Sequence, residues 1–318
     1  MTNEILHNRI KKELEQAKNV VIMGHIRPDG DAIGSLLGLA QALRERGKTV
    51  QTVLQDPADS KFDHLPGADR IHSRISGEFD YLITVDSADR KRIGSVLPET
   101  STPDLVIDHH VSHIDYGEID FVEADFEATA LVLYEFMPKW GLEISIESAK
   151  CLMTGILSDT IGFRTSDTSS KSLRAVAEMM DMGVDLAKIY FQTLSSRSIN
   201  ELRYWAQGLG KINFKDGIVW TSLSFEDRKK SGYKQNDDAD LVNHLSAMQG
   251  ASMAVIFTEQ ANEMVKISWR SGPGIDVSVL ANQFGGGGHA AAAGADVSGK
   301  LPEVIDRVLA QTKVYLNK

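Results

Sequence analysis

The sequence predicts an α/β protein of two domains, an N-terminal, mainly parallel, doubly wound sheet followed by a smaller mixed α/β domain, with a cleft between them. Three observations carry this. In the first half, short β-branched apolar runs alternate with stretches of helical period, the pattern of βαβ units. In the second half, strand-like runs return with short helical stretches among them. The 318 residues also suffice for about two domains at roughly 150 residues each, large enough to bury a core without disulfides or metal staples.

Ile5, Leu6, Ile10, Leu14 and Ala17 recur at helical spacing within 3–18, and the run VVIM at 20–23 follows directly, so a helix leads into a buried strand. Ile33, Leu36, Leu37, Ala40 and Leu43 mark the next helix, which Gly47 stops ahead of a strand over 49–54. YLITV at 81–85 and DLVI at 104–107 read as further buried strands, and 127–137 and 146–158 have helical length and spacing. Residues 168–208 read as successive helices. The predicted boundaries are 1–190 for the first domain, 191–210 for a helical connector and 211–318 for the second domain. In the latter, strands are expected at 211–215, 218–224, 251–258 and 264–270, and helices near 236–247, 275–283 and 301–316. The low-complexity stretch GGGGHAAAAGA occupies 285–295 and reads, at its blandest, as a flexible loop before an Ala-rich turn.

Composition narrows the class. With 42% apolar and 25% charged residues the chain is neither disordered, collagenous nor a coiled coil. The one cysteine, Cys151, has no partner for an internal disulfide, which suits a reducing compartment. The opening MTNEILHNRIKKELEQAKN carries charges where a signal peptide needs an apolar stretch, and no run of about 18 apolar residues occurs, so a soluble cytoplasmic protein without membrane association is expected. A net charge of −10 argues against binding long duplex nucleic acid along its phosphates, while a short anionic substrate held by one local site stays compatible.

The chemistry is concentrated where the strands end. VVIMG runs into His25, Asp29 and Asp31; YLITV into Asp86; DLVI into Asp108, His109 and His110. In an open parallel sheet the carboxyl ends of the strands face one crevice, so these residues should converge there. Asp159 joins them from the end of the 146–158 helix, where an acid opposes the helix dipole and calls for a partner. Carboxylates packed in this way repel or protonate unless cations compensate them. Divalent metal is the economical explanation, and carboxylate and imidazole donors without thiolate suit Mn²⁺ or Mg²⁺, the imidazoles favouring Mn²⁺. One such Asp or His by itself is an ordinary turn or cap residue, and His7, His64, His72 and His244 are read so. Asp89 and Arg92 could either cap a loop or support the cluster. In the second half, Arg270 ends a strand, and glycines before His289 would let backbone N–H groups approach an anion that the arginine fork also grips. No dinucleotide fingerprint or Walker motif occurs, so neither NAD nor ATP use is indicated.

GHIRPDGDAIGS at 24–35, VDSADRKRIG at 85–94, IDHHVSH at 107–113 and LSDTIGFRT at 157–165 resemble, in order and spacing, the four motifs of the DHH phosphoesterase superfamily, and GGGGHAAAAGA resembles the signature of its DHHA1 domain. A two-domain chain of this length without an added OB-fold looks like the bacterial nanoRNase and pAp phosphatase group. The resemblance implies that His25 and Asp29 hold one metal, that Asp31, His109 and Asp159 hold the other, and that Asp86 bridges both. Asp108 would orient a ligating histidine, and His110 would face the scissile phosphate. Arg270, Gly286, Gly287, Gly288 and His289 would bind substrate. The implied activity is hydrolysis of very short oligonucleotides to mononucleotides and of 3′-phosphoadenosine 5′-phosphate (pAp), with two Mn²⁺ ions and Mg²⁺ as a substitute. A homodimer is compatible with it. The alternatives are a cyclic or linear dinucleotide phosphodiesterase, an inorganic pyrophosphatase, disfavoured by the GGGGH segment, and a nucleotide-binding regulator without turnover.

Overall fold

The computed structural model describes residues 3–97, 99–272 and 274–316. The chain forms two compact units, Met1–Ser196 and Arg197–Lys318.

The first unit runs α1 (Asn3–Gln16), β1 (Asn19–Met23), α2 (Gly30–Glu45), β2 (Thr49–Val53), β3 (Ile71–His72), β4 (Tyr81–Val85), β5 (Leu105–Asp108), β6 (Asp120–Val122), α3 (Thr129–Phe136), α4 (Ile146–Asp159), α5 (Ser170–Asp181) and α6 (Leu186–Tyr190). Its six strands are all parallel, in the order β3-β2-β1-β4-β5-β6. The chain winds outward in one direction from β1 and in the other from β4. The crevice for a ligand therefore lies beyond the carboxyl ends of these two neighbours.

Strand residues alternate between two cores. Val20, Ile22, Ile83, Val85, Leu105 and Ile107 pack with residues of α1 to α4, while Val21, Met23, Val53 and Leu82 pack with Ile93 and Leu97. Strands covered on both faces read as unbroken apolar runs, and this made β1, β4 and β5 visible in the sequence. The two- and three-residue edge strands β3 and β6 are too short for any period and were not predicted. The helix predicted over 127–137 starts at Thr129, gives way after Phe136 and tightens into a 3₁₀ turn over Met137–Trp140, where Pro138 cannot supply an amide.

The interface of α2 with α4 is at backbone contact. A Cβ on Gly34 would lie 2.5 Å from the Cys151 carbonyl oxygen, and one on Gly155 would lie 2.6 Å from Asp31 Oδ1. These small residues set how closely the two helices can bring Asp31 and Asp159 together.

The second unit holds α7 (Ile199–Leu209), β7 (Asn213–Lys215), β8 (Ile218–Leu223), α8 (Phe225–Ser231), α9 (Leu241–Leu245), β9 (Met253–Gln260), β10 (Met264–Ser271), α10 (Ser278–Gln283), β11 (Gly287–Gly288), β12 (Ala292–Ser298) and α11 (Leu301–Leu316). Residues 199–209 fall within the expected connector, yet Tyr204 is fully buried with Val219, Leu223 and Leu241, so α7 packs as part of this unit. The sheet runs β11-β12-β10-β9-β8-β7, and only β8 and β9 pair in parallel. The Ala-rich segment is part turn and part strand, with His289 and Ala292 bonded across Ala290 and Ala291. Residues 292–298 form the strand β12, with Ala293, Ala295 and Val297 buried in alternation.

Candidate metal centre and phosphate-recognition strand

Each predicted residue of the first unit reaches the carboxyl-end crevice by a traceable route. Asp29 caps α2, its Oδ1 accepting the amides of Asp31 (3.0 Å) and Ala32 (3.1 Å), which leaves Oδ2 to face His25 Nε2 at 3.7 Å. Asp31, fully buried in the first turn of α2, accepts the Thr129 amide at 2.6 Å and the Ala130 amide at 2.9 Å. These are unsatisfied first-turn donors of α3, so one carboxylate ties two helices together. Asp86 leaves β4 in the left-handed region, at φ 55°. For a non-glycine residue that conformation stores strain that surrounding contacts must sustain.

Asp86 is the centre of the arrangement. Its Oδ2 lies 3.5 Å from His25 Nε2 and its Oδ1 3.7 Å from His109 Nε2, so its two oxygens serve opposite sides. On the His109 side, Nε2 is also 3.2 Å from Asp159 Oδ2 and 4.0 Å from Asp31 Oδ2. Both imidazoles are oriented in the same manner. His25 Nδ1 donates to the Ile26 carbonyl at 2.7 Å, and His109 Nδ1 donates to the Phe126 carbonyl at 3.0 Å. Each Nε2 is thereby turned toward the carboxylates, the orientation that metal-ligating histidines take.

The electrostatics agree. Burial opposes a charge on His25, yet Asp29 and Asp86 carry it up to about 10. Burial likewise opposes a charge on His109, but Asp159, Asp86 and Asp31 raise it well above the usual histidine range. Burial and the Asp86 and Asp159 carboxylates push Asp31 well above the usual carboxylate range, whereas Asp86 is held low, against burial, by the surrounding histidines. A centre this rich in anions collects protons unless another cation replaces them. Donor atoms 3 to 4 Å apart also match neighbouring ligands of an octahedral cation, which at bond lengths of about 2.1 Å stand roughly 3 Å apart. His25, Asp29 and Asp86, and separately Asp31, Asp86 and His109, place ligand atoms close enough to hold an ion.

Asp108 departs from expectation. Fully buried at the end of β5, it accepts from His110 Nδ1 and His113 Nδ1, each at 2.7 Å, and these bonds pull it down to about 2 against the cost of burial. It therefore orients His110 and His113, and neither of the expected ligands His25 and His109. The reason lies in the extended chain, where residues i and i+2 point the same way, so Asp108 and His110 share a side and His109 faces the other. His110 Nε2 lies 3.5 Å from Arg92 Nη1. Asp89 proves to be a loop cap, accepting the Lys91 and Arg92 amides.

Sequence reasoning missed several contributors. Thr129 Oγ1 donates to Asp86 Oδ1 at 3.0 Å, and Ser35 Oγ donates to Asp31 Oδ1 at 3.2 Å. Nothing in periodicity marks a threonine 43 residues from its acceptor. His113 stood inside a quoted motif without a role.

In the second unit Arg270 sits near the end of β10, where Asn243 Oδ1 accepts from its Nε at 2.7 Å. Its strand partner is Ala292, which exchanges backbone bonds with His289 across the β11–β12 turn, so the arginine and the glycine segment are neighbours. The glycines have a packing cause. A Cβ on Gly286 would lie 2.1 Å from the Gly294 carbonyl oxygen, and one on Gly288 2.5 Å from that of Ala292. The Gly286 amide donates to the Ala281 carbonyl, while a Cβ at Gly287 would meet only Asn282, at 3.9 Å.

Comparison with known proteins places this architecture. The profile of the DHH family, N-terminal domain, matches residues 19–156, and that of the DHHA1 domain matches 219–318. The bifunctional oligoribonuclease and PAP phosphatase NrnA of Thermus thermophilus is 33% identical over 305 residues, 94% of this chain and 90% of that protein. The Bacillus subtilis protein of the same name is 24% identical, over 92% of each chain. Among solved structures, an exopolyphosphatase-related protein from Bacteroides fragilis superposes with a TM-score of 0.89 at 26% identity, covering both chains completely. With both domain profiles matched in order and a relative this similar along nearly its whole length, the chain belongs to the DHH–DHHA1 phosphoesterase family.

Proposed function

We propose that this protein is a cytoplasmic, Mn²⁺-dependent phosphohydrolase that degrades very short oligonucleotides to mononucleotides and dephosphorylates pAp. The observation that carries the reading is the Asp86 carboxylate, one oxygen turned to His25 and the other to His109, at the point where the strand order reverses. The likeness to relatives named oligoribonuclease and PAP phosphatase supports the choice of substrate. No helix among the described residues is long and apolar enough to cross a membrane.

His25 and Asp29 would hold one divalent cation, Asp31, His109 and Asp159 the other, with Asp86 shared. When bound, two such ions supply an activated water at neutral pH and neutralise the charge of the phosphoryl oxygens. The chain's own groups do the rest. Asp108 fixes His110 with its Nδ1–H engaged, so Nε2 is the nitrogen left to carry a proton to the leaving oxygen, a role worth about 10² to 10⁴ in rate. Arg92, beside that nitrogen, supplies a donor for a phosphoryl oxygen. Arg270, held by Asn243, and His289 recognise a second phosphate remote from the reacting one, which pAp and a dinucleotide carry and a minimal phosphodiester lacks. The net charge of −10 favours short substrates over long duplexes.

The test compares turnover of pAp, a dinucleotide, a five-mer and cyclic di-AMP by the Mn²⁺-loaded protein under one condition. Hydrolysis of pAp and the dinucleotide well above that of cyclic di-AMP is expected. Preference for cyclic di-AMP, or tight binding of nucleotides with no turnover, would overturn the reading.

A further inference from the structure

The buried polar groups around Asp108 continue past the metal centre. The register of β5 and β6 pairs Asp120 with Val106, two residues before Asp108, so the two carboxylates emerge on one face of adjacent strands. His113, its side chain 5% exposed, lies between them. Its Nδ1 is 2.7 Å from Asp108 Oδ2 and its Nε2 is 3.0 Å from Asp120 Oδ1. We propose that His113 is a positioning residue, a bridge between Asp108 and Asp120 that fixes the Asp108 carboxylate and through it the tautomer and direction of the His110 imidazole. This rests on the reading of His110 given above.

A neutral imidazole has one N–H and could donate to only one of the two carboxylates, so the bridge requires His113 with both nitrogens protonated. The groups facing it favour that form. They are Asp108 from β5, Asp120 from β6 and, from the intervening loop, the exposed Asp115 carboxylate at 3.9 Å and the stacked Tyr116 ring at 5.7 Å. Burial opposes the charge, yet the carboxylates raise His113 above the usual histidine range. Asp120 is itself fixed, accepting the amides of Tyr116 and Gly117, each at 3.1 Å. The result is a continuous line of bonds from the Tyr116–Gly117 turn through Asp120, His113 and Asp108 to His110. With one Asp108 oxygen occupied by His113, the other is left to hold His110 Nδ1–H, and Nε2 is turned to Arg92 Nη1, 3.5 Å away.

Two measurements test this on the full-length protein. In ¹⁵N spectra of the chelator-treated protein at pH 7, the His113 ring should show two protonated nitrogens, and His113→Asn should alter the His110 ring signals. An amide at position 113 can reach only one carboxylate, so with pAp and Mn²⁺ the same variant should lose about 10 to 100-fold in kcat, part of the general-acid contribution, with KM and bound Mn²⁺ unchanged. Asp108→Asn combined with His113→Asn should cost no more than Asp108→Asn alone, because both act through one carboxylate. Asp120→Asn, which keeps the shape of the turn, should lower kcat in the same direction. Unchanged His110 ring signals in His113→Asn, or losses in kcat that add independently in the double variant, would overturn the inference. If the wild-type protein hydrolysed none of the substrates, the functional reading would fail, and the ring spectra alone would still decide the role of His113.

Discussion

Thr129→Val isolates one bond in the candidate metal centre. Thr129 is fully buried, its hydroxyl donates to Asp86 Oδ1 at 3.0 Å, and its amide separately serves Asp31. Valine fills the same volume and keeps the amide, so only the hydroxyl bond is lost. A hydrogen bond to a charged partner is worth about 1.5 to 3 kcal/mol, and at about 1.4 kcal/mol per factor of ten this predicts a loss of roughly 10 to 150-fold. The loss should fall on Mn²⁺ affinity and kcat, because the hydroxyl fixes the oxygen of Asp86 that faces His109. Thr129→Ser, which retains the donor, should stay within a few-fold of wild type. Mn²⁺ affinity by competition with a chelator, together with pAp turnover at saturating Mn²⁺, reads both effects. Wild-type affinity and turnover in Thr129→Val would refute the claim that this hydroxyl sets the Asp86 carboxylate.

Other predictions follow from the same geometry. His109→Ala should lose about one metal equivalent, whereas His110→Ala should keep its full metal content and lose turnover, because His110 is engaged by Asp108; equal metal loss would contradict that division. Against the cost of burial, Asp29 and Asp86 lift His25 to about 10, so its proton stabilises the metal-free fold fully below pH 6.5, and that stabilisation is lost as pH rises through about 10. Mn²⁺ competes with this proton, so the gap in Tm between Mn²⁺-loaded and chelated protein should widen from pH 6.5 to 10, and a constant gap would exclude the competition. Gly34→Ala drives a methyl against the Cys151 carbonyl, which should cost about 1 to 3 kcal/mol and roughly 2 to 12 °C in Tm by calorimetry, with turnover falling as Asp31 and Asp159 separate.

The sequence made the first sheet and the cluster at its carboxyl edge legible for one physical reason. Strands buried on both faces are short β-branched runs, and in a parallel sheet the polar residue after each run has one place to go. The contacts that organise the cluster were not legible. Thr129 reaches Asp31 across 98 residues and Asp86 across 43, and such pairings exist only once the sheet has assembled. The partner of Asp108 could have been read, since alternation along an extended chain puts His110 on its side and His109 on the other. In the second unit β12 was hidden because alanine and glycine have weak strand propensity. The glycine segment approaches β12 closely, since a Cβ on Gly286 or Gly288 would meet the carbonyl oxygens of Gly294 and Ala292.

The central claim is that phosphoester hydrolysis depends on divalent cations shared through Asp86, and the most direct measurement is pAp turnover by wild type and Asp86→Asn, each stripped with EDTA and then reconstituted with Mn²⁺. Stripped wild type should be inactive and should recover fully with Mn²⁺, while Asp86→Asn should remain folded and stay several orders of magnitude below wild type at any Mn²⁺ concentration. Activity of wild type that survives EDTA, or near-normal turnover by Asp86→Asn, would contradict the account.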